Sequence, residues 1–154
     1  MTQEERRVAL IQFLLDERQE KNIPLPSSEA EQKRLLRGLM NVRSPHPIGQ
    51  EFLHLQDEYL QEEQRRRGVT DWRTLSPIRD GLYLWRGDIT TLRCDAIVNA
   101  ANSALLGCFC PNHGCIDNAI HTFAGVQLRL YCAQVMKRQG GEESAGGAKL
   151  TPAF

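Results

Sequence analysis

The sequence predicts an α/β fold that is preceded by a helical extension. Up to about Ser76, apolar side chains recur at spacings of three and four residues, with charges between them, as on amphipathic helices. From Leu82 onward the pattern changes to two short apolar segments, one helical segment and a third apolar segment, which is the order that opens an α/β sandwich. We therefore divide the chain into a helical extension, residues 1–76, and the first part of a sandwich domain, residues 77–154.

Three helices are predicted in the extension, over residues 2–21, 27–42 and 51–67. Thr2 is followed three residues later by Glu5, the spacing of a capping box, and either Ser27 or Ser28 caps the second helix. Prolines between the helices prevent them from continuing. The arginines of the QEEQRRR run follow glutamates at helical neighbour spacing, which favours a solvated, ion-paired face over a nucleic-acid-binding patch.

Three strands and one long helix are predicted in the second half. The first strand and the turn that ends it cover residues 82–90, and the other two strands cover residues 94–102 and 148 onward. The helix covers residues 115–139, with Gly125 as a candidate break. The stretch 94–102 contains a continuous apolar run, as in a strand that is buried on both faces. A glycine-rich segment, GGEESAGG, is predicted to form a flexible loop before the last strand.

Charge and hydropathy exclude several classes of protein. Basic and acidic residues number 19 each, so no global field favours nucleic acid or an anionic membrane. No apolar run is long enough to cross a bilayer, and the first residues lack the features of a secretory signal. We therefore expect a cytoplasmic protein, with neither nucleic acid nor a membrane as partner. In the reducing cytoplasm, clustered cysteines more often bind metal or take part in catalysis than form disulfides.

Residues 108–115, CFCPNHGC, are called the thiol loop because they hold three of the five cysteines of the chain. Cys108, His113 and Cys115 follow the pattern C-x4-H-x-C, and two thiolates with one imidazole suit zinc. Three protein ligands leave the metal open to water or substrate, whereas a fourth thiolate from Cys110 would close the shell and make the site structural. We favour the open version, because a C-x-C turn is cramped for two ligands of one ion. The alternative without metal is that these cysteines pack as small apolar residues.

Four polar residues stand at the predicted strand ends and at the start of the predicted helix, where α/β folds collect ligands. They are Asp88, Asn99, Asn102 and Asp117. Free amides at helix N-termini also attract phosphate. A turn or the helix dipole explains each of these residues when it is taken alone. Together with the thiol loop they predict a nucleotide pocket.

Three segments of the second half resemble the ADP-ribose-binding macrodomain: GDIT at 87–90, VNAANSALLG at 98–107 and CIDNAIHTFAG at 115–125. The C-x4-H-x-C pattern stands where common macrodomains have a glycine-rich loop, and it resembles the zinc-containing branch that removes ADP-ribose from proteins. The helical half is similar to the extension of that branch. The resemblance implies a macrodomain-type three-layer α/β/α sandwich that is incomplete here, since further strands, helices and a second phosphate-binding loop are expected after Phe154.

The resemblance also implies how ADP-ribose would be bound. Asp88 would accept a hydrogen bond from the adenine amino group, with the Ile89 amide beside it. Asn102 would hold the distal ribose, and Asp117 would also take part in binding ADP-ribose. The amides of Cys115 and Ile116 would face the diphosphate or that same ribose.

The implied activity is zinc-dependent hydrolysis of the bond between ADP-ribose and a modified protein side chain. By resemblance, Cys108, His113 and Cys115 would bind Zn²⁺. Asp117 would lie beside the anomeric carbon, where it would orient or deprotonate the attacking water, and Asn102 would fix the ribose for the attack. Asn99 is expected to be structural, and His121 faces the helix interior by its spacing.

The resemblance further implies partners and leaves two other functions open. Bacterial members of the branch tend to accompany a sirtuin-like ADP-ribosyltransferase and a lipoyl-carrying protein, so an ADP-ribosylated lipoyl-carrier protein is the expected partner. One alternative is a reader, which binds ADP-ribose without cleaving it. The other is a structural zinc module with a helical interaction arm, in which Cys110 would complete the zinc shell.

Overall fold

The computed structural model describes residues 1–20 and 22–154, and its main elements are helices. They are α1 (Gln3–Glu17), α2 (Glu29–Val42), α3 (Gln50–Arg67), α4 (Ile116–Phe123) and α5 (Val126–Gln139). The first helix is shorter than predicted, because Gln19 has a left-handed φ of 59° that a helix cannot continue through. Lys21, the predicted end of that helix, lies outside the described residues. Across the part of the chain described, none of the helices combines the length and hydropathy that crossing a bilayer requires.

The starts of the first two helices are fixed by side-chain caps. The Glu5 amide donates to the Thr2 hydroxyl, and the Thr2 amide donates to the Glu5 carboxylate at 2.7 Å, which confirms the predicted capping box. Ser28, rather than Ser27, caps α2 and accepts a hydrogen bond from the Glu31 amide. A cap of this kind stabilises a helix by about 1 kcal/mol.

The larger of two apolar clusters among the described residues joins the helical extension to the second half of the chain. Its buried side chains come from α1, α2, α3 and the first residue of α5: Leu10, Ile11, Leu14, Leu15, Leu36, Leu39, Met40, Phe52, Tyr59, Leu60 and Val126. Burying an aliphatic or aromatic side chain of this size contributes roughly 1.5–3 kcal/mol. The extension therefore packs against the second half, and the domain boundary between residues 76 and 77 stays a prediction.

The predicted break at Gly125 is confirmed, since α4 ends before it and α5 begins after it. Gly125 has a φ of +79°, and a Cβ atom there would clash with the Gln56 side-chain nitrogen. Gln56, which is fully buried on α3, accepts a hydrogen bond from the Val126 amide at 2.9 Å. The positive φ and this close approach both favour glycine at the position that separates α4 from α5.

The strands are short and lie in two separate pairs. β1 (Thr70–Asp71) runs parallel to β4 (Leu92–Arg93), with Thr70 opposite Leu92. β2 (Pro77–Arg79) runs antiparallel to β3 (Leu82–Tyr83). The strand predicted at the start of residues 82–90 is confirmed only for Leu82–Tyr83, whereas the turn predicted at the end of this stretch is present as a turn of 3-10 helix, Ile89–Thr91.

The strands predicted over residues 94–102 and from 148 onward are also wrong, since neither stretch has strand structure. A strand is held by hydrogen bonds to a neighbouring strand, and no described segment makes such a ladder with residues 94–102. The expectation that this stretch is buried on both faces fails as well, because Val98 is 90% exposed.

Candidate metal centre and active site

The thiol loop brings three metal-binding side chains together. One sulfur from Cys108, one from Cys115 and one ring nitrogen of His113 all lie within 4.8 Å of one another. The Cys108 Sγ and His113 Nδ1 atoms are 3.6 Å apart. Ligands bound to zinc at their usual bond lengths in a tetrahedral shell lie about 3.5–3.8 Å apart. The donor set and its spacing therefore fit a zinc ion, and Cys110, which is exposed, is not one of the three.

Local backbone geometry folds the loop around these side chains. Asn112 adopts a left-handed φ of 56°, and the His113 amide donates to the Cys110 carbonyl at 3.2 Å, which closes a tight turn. Cys115 is the N-cap of α4, and its sulfur accepts a hydrogen bond from the Asn118 amide at 3.3 Å. A helix N-terminus favours negative charge, so this position suits a thiolate ligand.

Asp117 lies in the first turn of α4, two residues after a ligand of the predicted metal. Its side chain is buried, with the residue 5% exposed. Asn99 donates to one carboxylate oxygen at 2.7 Å, and the Nε2 atom of His121 lies 3.6 Å from the same oxygen. Asn99, which is expected to be structural, therefore holds this carboxylate. The result is a buried carboxylate with a fixed orientation beside the thiol loop.

His121 is buried beside Asp117, and the roles assigned from the sequence do not include it. It is 6% exposed, and its Nδ1 atom is buried without a hydrogen-bond partner among the described residues. Burial lowers the pKa of His121 to about 4, although the Asp117 charge opposes the shift. Its ring packs on Gly107, where an added Cβ would lie 2.7 Å from the imidazole. The spacing of four residues from Asp117 is the sequence signal that could have identified this pair.

This buried histidine is expected to make the folded protein less stable in acid. The unfolded chain protonates His121 near its ordinary pKa of 6.5, whereas the folded protein does so only near 4. As the pH falls between these values the unfolded state binds more protons, so the free energy of unfolding should decrease by up to about 3 kcal/mol. Urea unfolding of the metal-free protein across this range measures the decrease.

Two substitutions show whether His121 causes that loss. His121→Asn should remove most of the decrease, whereas His54→Asn, at an exposed histidine of α3, should leave it unchanged. An equal acid sensitivity in the parent and in His121→Asn would assign the effect to other groups.

Asp88 and Ile89, the predicted adenine-binding residues, lie at the turn before β4. The Asp88 carboxylate accepts hydrogen bonds from the Thr90 amide and hydroxyl and from Arg67 at 2.8 Å. Partial burial raises the pKa of Asp88, but the Thr90 and Arg67 interactions outweigh it and hold that pKa below its ordinary value. Arg67 of α3 is thus a neighbour of the predicted adenine site, and the sequence analysis did not identify it. Its guanidinium also lies 3.6 Å from the ring centre of Phe123.

Asn102, the predicted ribose-binding residue, closes the turn that leads into the thiol loop. Its amide nitrogen donates to the Gly107 carbonyl at 3.3 Å, and its amide oxygen accepts from the Ala104 amide at 3.1 Å. Both bonds are local, so the side chain braces the segment immediately before Cys108. A side-chain amide has two donors and two acceptor sites, so Asn102 retains the capacity to bind a hydroxyl group.

The second half of the chain matches a known family. Residues 98–154 match the model of the Macro domain family. This segment contains the thiol loop, α4 and α5. This match confirms the resemblance to the macrodomain and the α/β fold class that were inferred from the sequence.

Similarity to curated proteins extends over the whole chain. It is 56% identical to "Protein-ADP-ribose hydrolase" of Treponema medium, in an alignment that covers 100% of this chain and 61% of the relative. It is 48% identical to the protein of the same name from Staphylococcus aureus (strain MRSA252), over 95% of this chain and 57% of the relative. A "Probable bifunctional ADP-ribose hydrolase/ADP-ribosyltransferase" of Fusarium oxysporum f. sp. cubense is 43% identical over 76% of this chain and 21% of its own length. The chain therefore spans less than two thirds of these relatives.

Proposed function

We propose that the protein is a zinc-dependent protein mono-ADP-ribosylhydrolase, which removes ADP-ribose from a modified protein side chain. The observation that carries the proposal is the cluster of Cys108, His113 and Cys115 next to the buried Asp117 carboxylate. The names of the bacterial relatives support a hydrolase that acts on ADP-ribosylated proteins.

Cys108, His113 and Cys115 would hold the zinc ion. Catalytic zinc sites have three protein ligands, whereas structural sites have four. The exposure of Cys110 and its absence from the ligand group therefore favour a catalytic site over a structural zinc module. When bound, zinc supplies Lewis-acid polarisation of an oxygen group.

Asp117 would act as the general base that orients the attacking water and accepts its proton. The Asn99 hydrogen bond to one oxygen holds the carboxylate in a fixed orientation, which general-base catalysis requires. Asn102 would fix the distal ribose while its local hydrogen bonds keep the preceding turn rigid. Fixing both partners in this way removes much of the entropic cost of the reaction.

The remaining predicted contacts would bind the nucleotide. The amides of Cys115, the N-cap, and of Ile116, the first residue of α4, lie at the helix end where amides have no intrahelical partner, and such ends bind phosphate groups. Asp88 would accept a hydrogen bond from the adenine amino group beside the Ile89 amide. Because Arg67 already binds the Asp88 carboxylate, adenine would either share that carboxylate with Arg67 or displace it.

The experiment that tests the proposed function is incubation with a mono-ADP-ribosylated protein, with chromatography to measure free ADP-ribose. Zinc-dependent release of ADP-ribose is the expected result. Tight ADP-ribose binding in a calorimeter without any release would identify a reader instead. A lipoyl-carrier protein as substrate, a sirtuin-like ADP-ribosyltransferase as functional partner and a cytoplasmic location remain predictions from the resemblance and the composition.

A further inference from the structure

Helix α2 of the extension lies against the thiol loop at very short range. An added Cβ on Gly38 would approach the Asn112 side-chain nitrogen to 3.1 Å and the Pro111 Cβ to 3.8 Å. Arg37 and Asn41, spaced four residues apart on the same face of this helix, contact the loop with polar side chains. The helical extension, in which the sequence indicates no chemistry, therefore touches the predicted metal centre.

Asn41 fixes the turn that presents the histidine ligand. It is 1% exposed, and its side-chain oxygen accepts a hydrogen bond from the Asn112 amide at 2.9 Å. Asn112 has the left-handed backbone conformation and directly precedes His113. The Asn41 nitrogen donates to the Thr122 hydroxyl at 2.9 Å, which ties the same side chain to α4. One buried amide thus holds the turn before one ligand and the helix that begins at another.

Arg37 contacts the thiol loop both directly and through the side chain of Asn118. Its guanidinium donates to the Asn118 side-chain oxygen at 2.8 and 3.2 Å and to the His113 carbonyl at 3.0 Å. Asn118, which is fully buried, donates from its side chain to the Cys110 carbonyl at 3.0 Å and from its amide to the Cys115 sulfur at 3.3 Å. Arg37 is therefore bonded to one predicted ligand residue directly and to a second through Asn118.

Arg37 and Asn41 both belong to α2, and the C-terminal end of this helix is hydrogen-bonded to the second half of the chain. The Arg129 guanidinium donates to the carbonyls of Met40 and Asn41 and to that of Arg43, at 3.2, 2.8 and 2.6 Å. It also donates to the Leu106 carbonyl at 2.7 Å, two residues before the thiol loop. The carbonyls at a helix end have no intrahelical partner and commonly accept from such a donor. Here the Arg129 guanidinium joins the end of α2 to the segment just before the thiol loop.

We propose that α2 is the supporting element of the metal centre and that Arg37 and Asn41 are positioning residues for its ligands. The proposal rests on the zinc site of the proposed function. Hydrogen bonds that orient metal ligands strengthen metal binding, and their removal typically lowers the metal affinity by about 10- to 100-fold. The alternative is that these contacts only stabilise the packing of the extension.

The test compares zinc affinity in the whole chain, measured by competition with a chromophoric chelator. Arg37→Gln should bind zinc at least about 10-fold more weakly than the parent. The control is Arg34→Gln, which removes an exposed arginine of the same helix and should match the parent. Absorption of the cobalt-substituted protein supplies a second readout, and its visible bands should shift in Arg37→Gln only.

The outcomes separate this proposal from the proposed function. If the parent binds zinc and Arg37→Gln binds it equally well with the parent's cobalt spectrum, the positioning role is refuted and the metal site stands. If the parent binds no zinc, both fail. If Arg37→Gln does not fold, Arg37→Lys decides the matter, because lysine keeps the charge but not the planar fork of donors. Its zinc affinity should be lower than that of the parent. A zinc affinity equal to that of the parent would again refute the positioning role.

Discussion

Asp117→Asn is expected to slow the release of ADP-ribose from a modified protein by about 10²- to 10⁴-fold, the range that a general base contributes. Asparagine has nearly the shape of aspartate and retains an oxygen that can accept the 2.7 Å hydrogen bond from Asn99. The substitution therefore removes the basic carboxylate while it leaves the packing at the start of α4 in place. Single-turnover assays on a mono-ADP-ribosylated protein measure the chemical step separately from binding.

Two controls show whether the slower release of ADP-ribose comes from the loss of the proton-accepting carboxylate of Asp117. Zinc content and ADP-ribose affinity should stay close to the parent values in Asp117→Asn. Asp95→Asn, at an exposed aspartate before the segment matched to the family, should retain full activity. Parent-like turnover by a zinc-loaded Asp117→Asn protein would remove this residue from the mechanism.

Cys115→Ser is expected to abolish both zinc binding and hydrolysis. Serine is a preferred N-cap residue, so its hydroxyl should replace the sulfur that accepts the Asn118 amide and α4 should keep its start. A neutral hydroxyl, in contrast, is a poor substitute for a thiolate on zinc. Metal analysis after gel filtration, together with circular dichroism, separates loss of the metal from loss of the helix.

Cys110→Ala is the matched control from the same loop. Because Cys110 is exposed and lies outside the ligand group, this variant should keep its zinc and its activity. Loss of zinc from Cys110→Ala would favour the closed, structural shell, and retention of zinc by Cys115→Ser would take Cys115 out of the ligand set.

Local features of the molecule could be predicted from the sequence. The helices follow from apolar spacing and from caps such as Thr2 and Ser28, which act within a few residues. The ligand cluster could also be predicted, because Cys108, His113 and Cys115 lie within eight consecutive residues and a tight turn suffices to gather them. In both cases the interacting groups are neighbours along the chain.

Features that depend on distant partners could not be predicted. Residues 94–102 have the composition of a buried strand, but a strand exists only beside another strand, and Val98 is exposed instead. The hydrogen bond from Arg37 to Asn118 joins residues that are 81 positions apart, and nothing in the local pattern around Arg37 indicates it. The support of the metal centre by the helical extension is visible only in three dimensions.

The measurement that tests the account most directly is the metal content of the purified protein, prepared under reducing conditions without chelators. Elemental analysis should find about one zinc per chain, and X-ray absorption should find two sulfur ligands and one imidazole nitrogen from the protein, as Cys108, Cys115 and His113 require. A protein that contains no bound zinc, and that takes up none when zinc is added, would contradict the account.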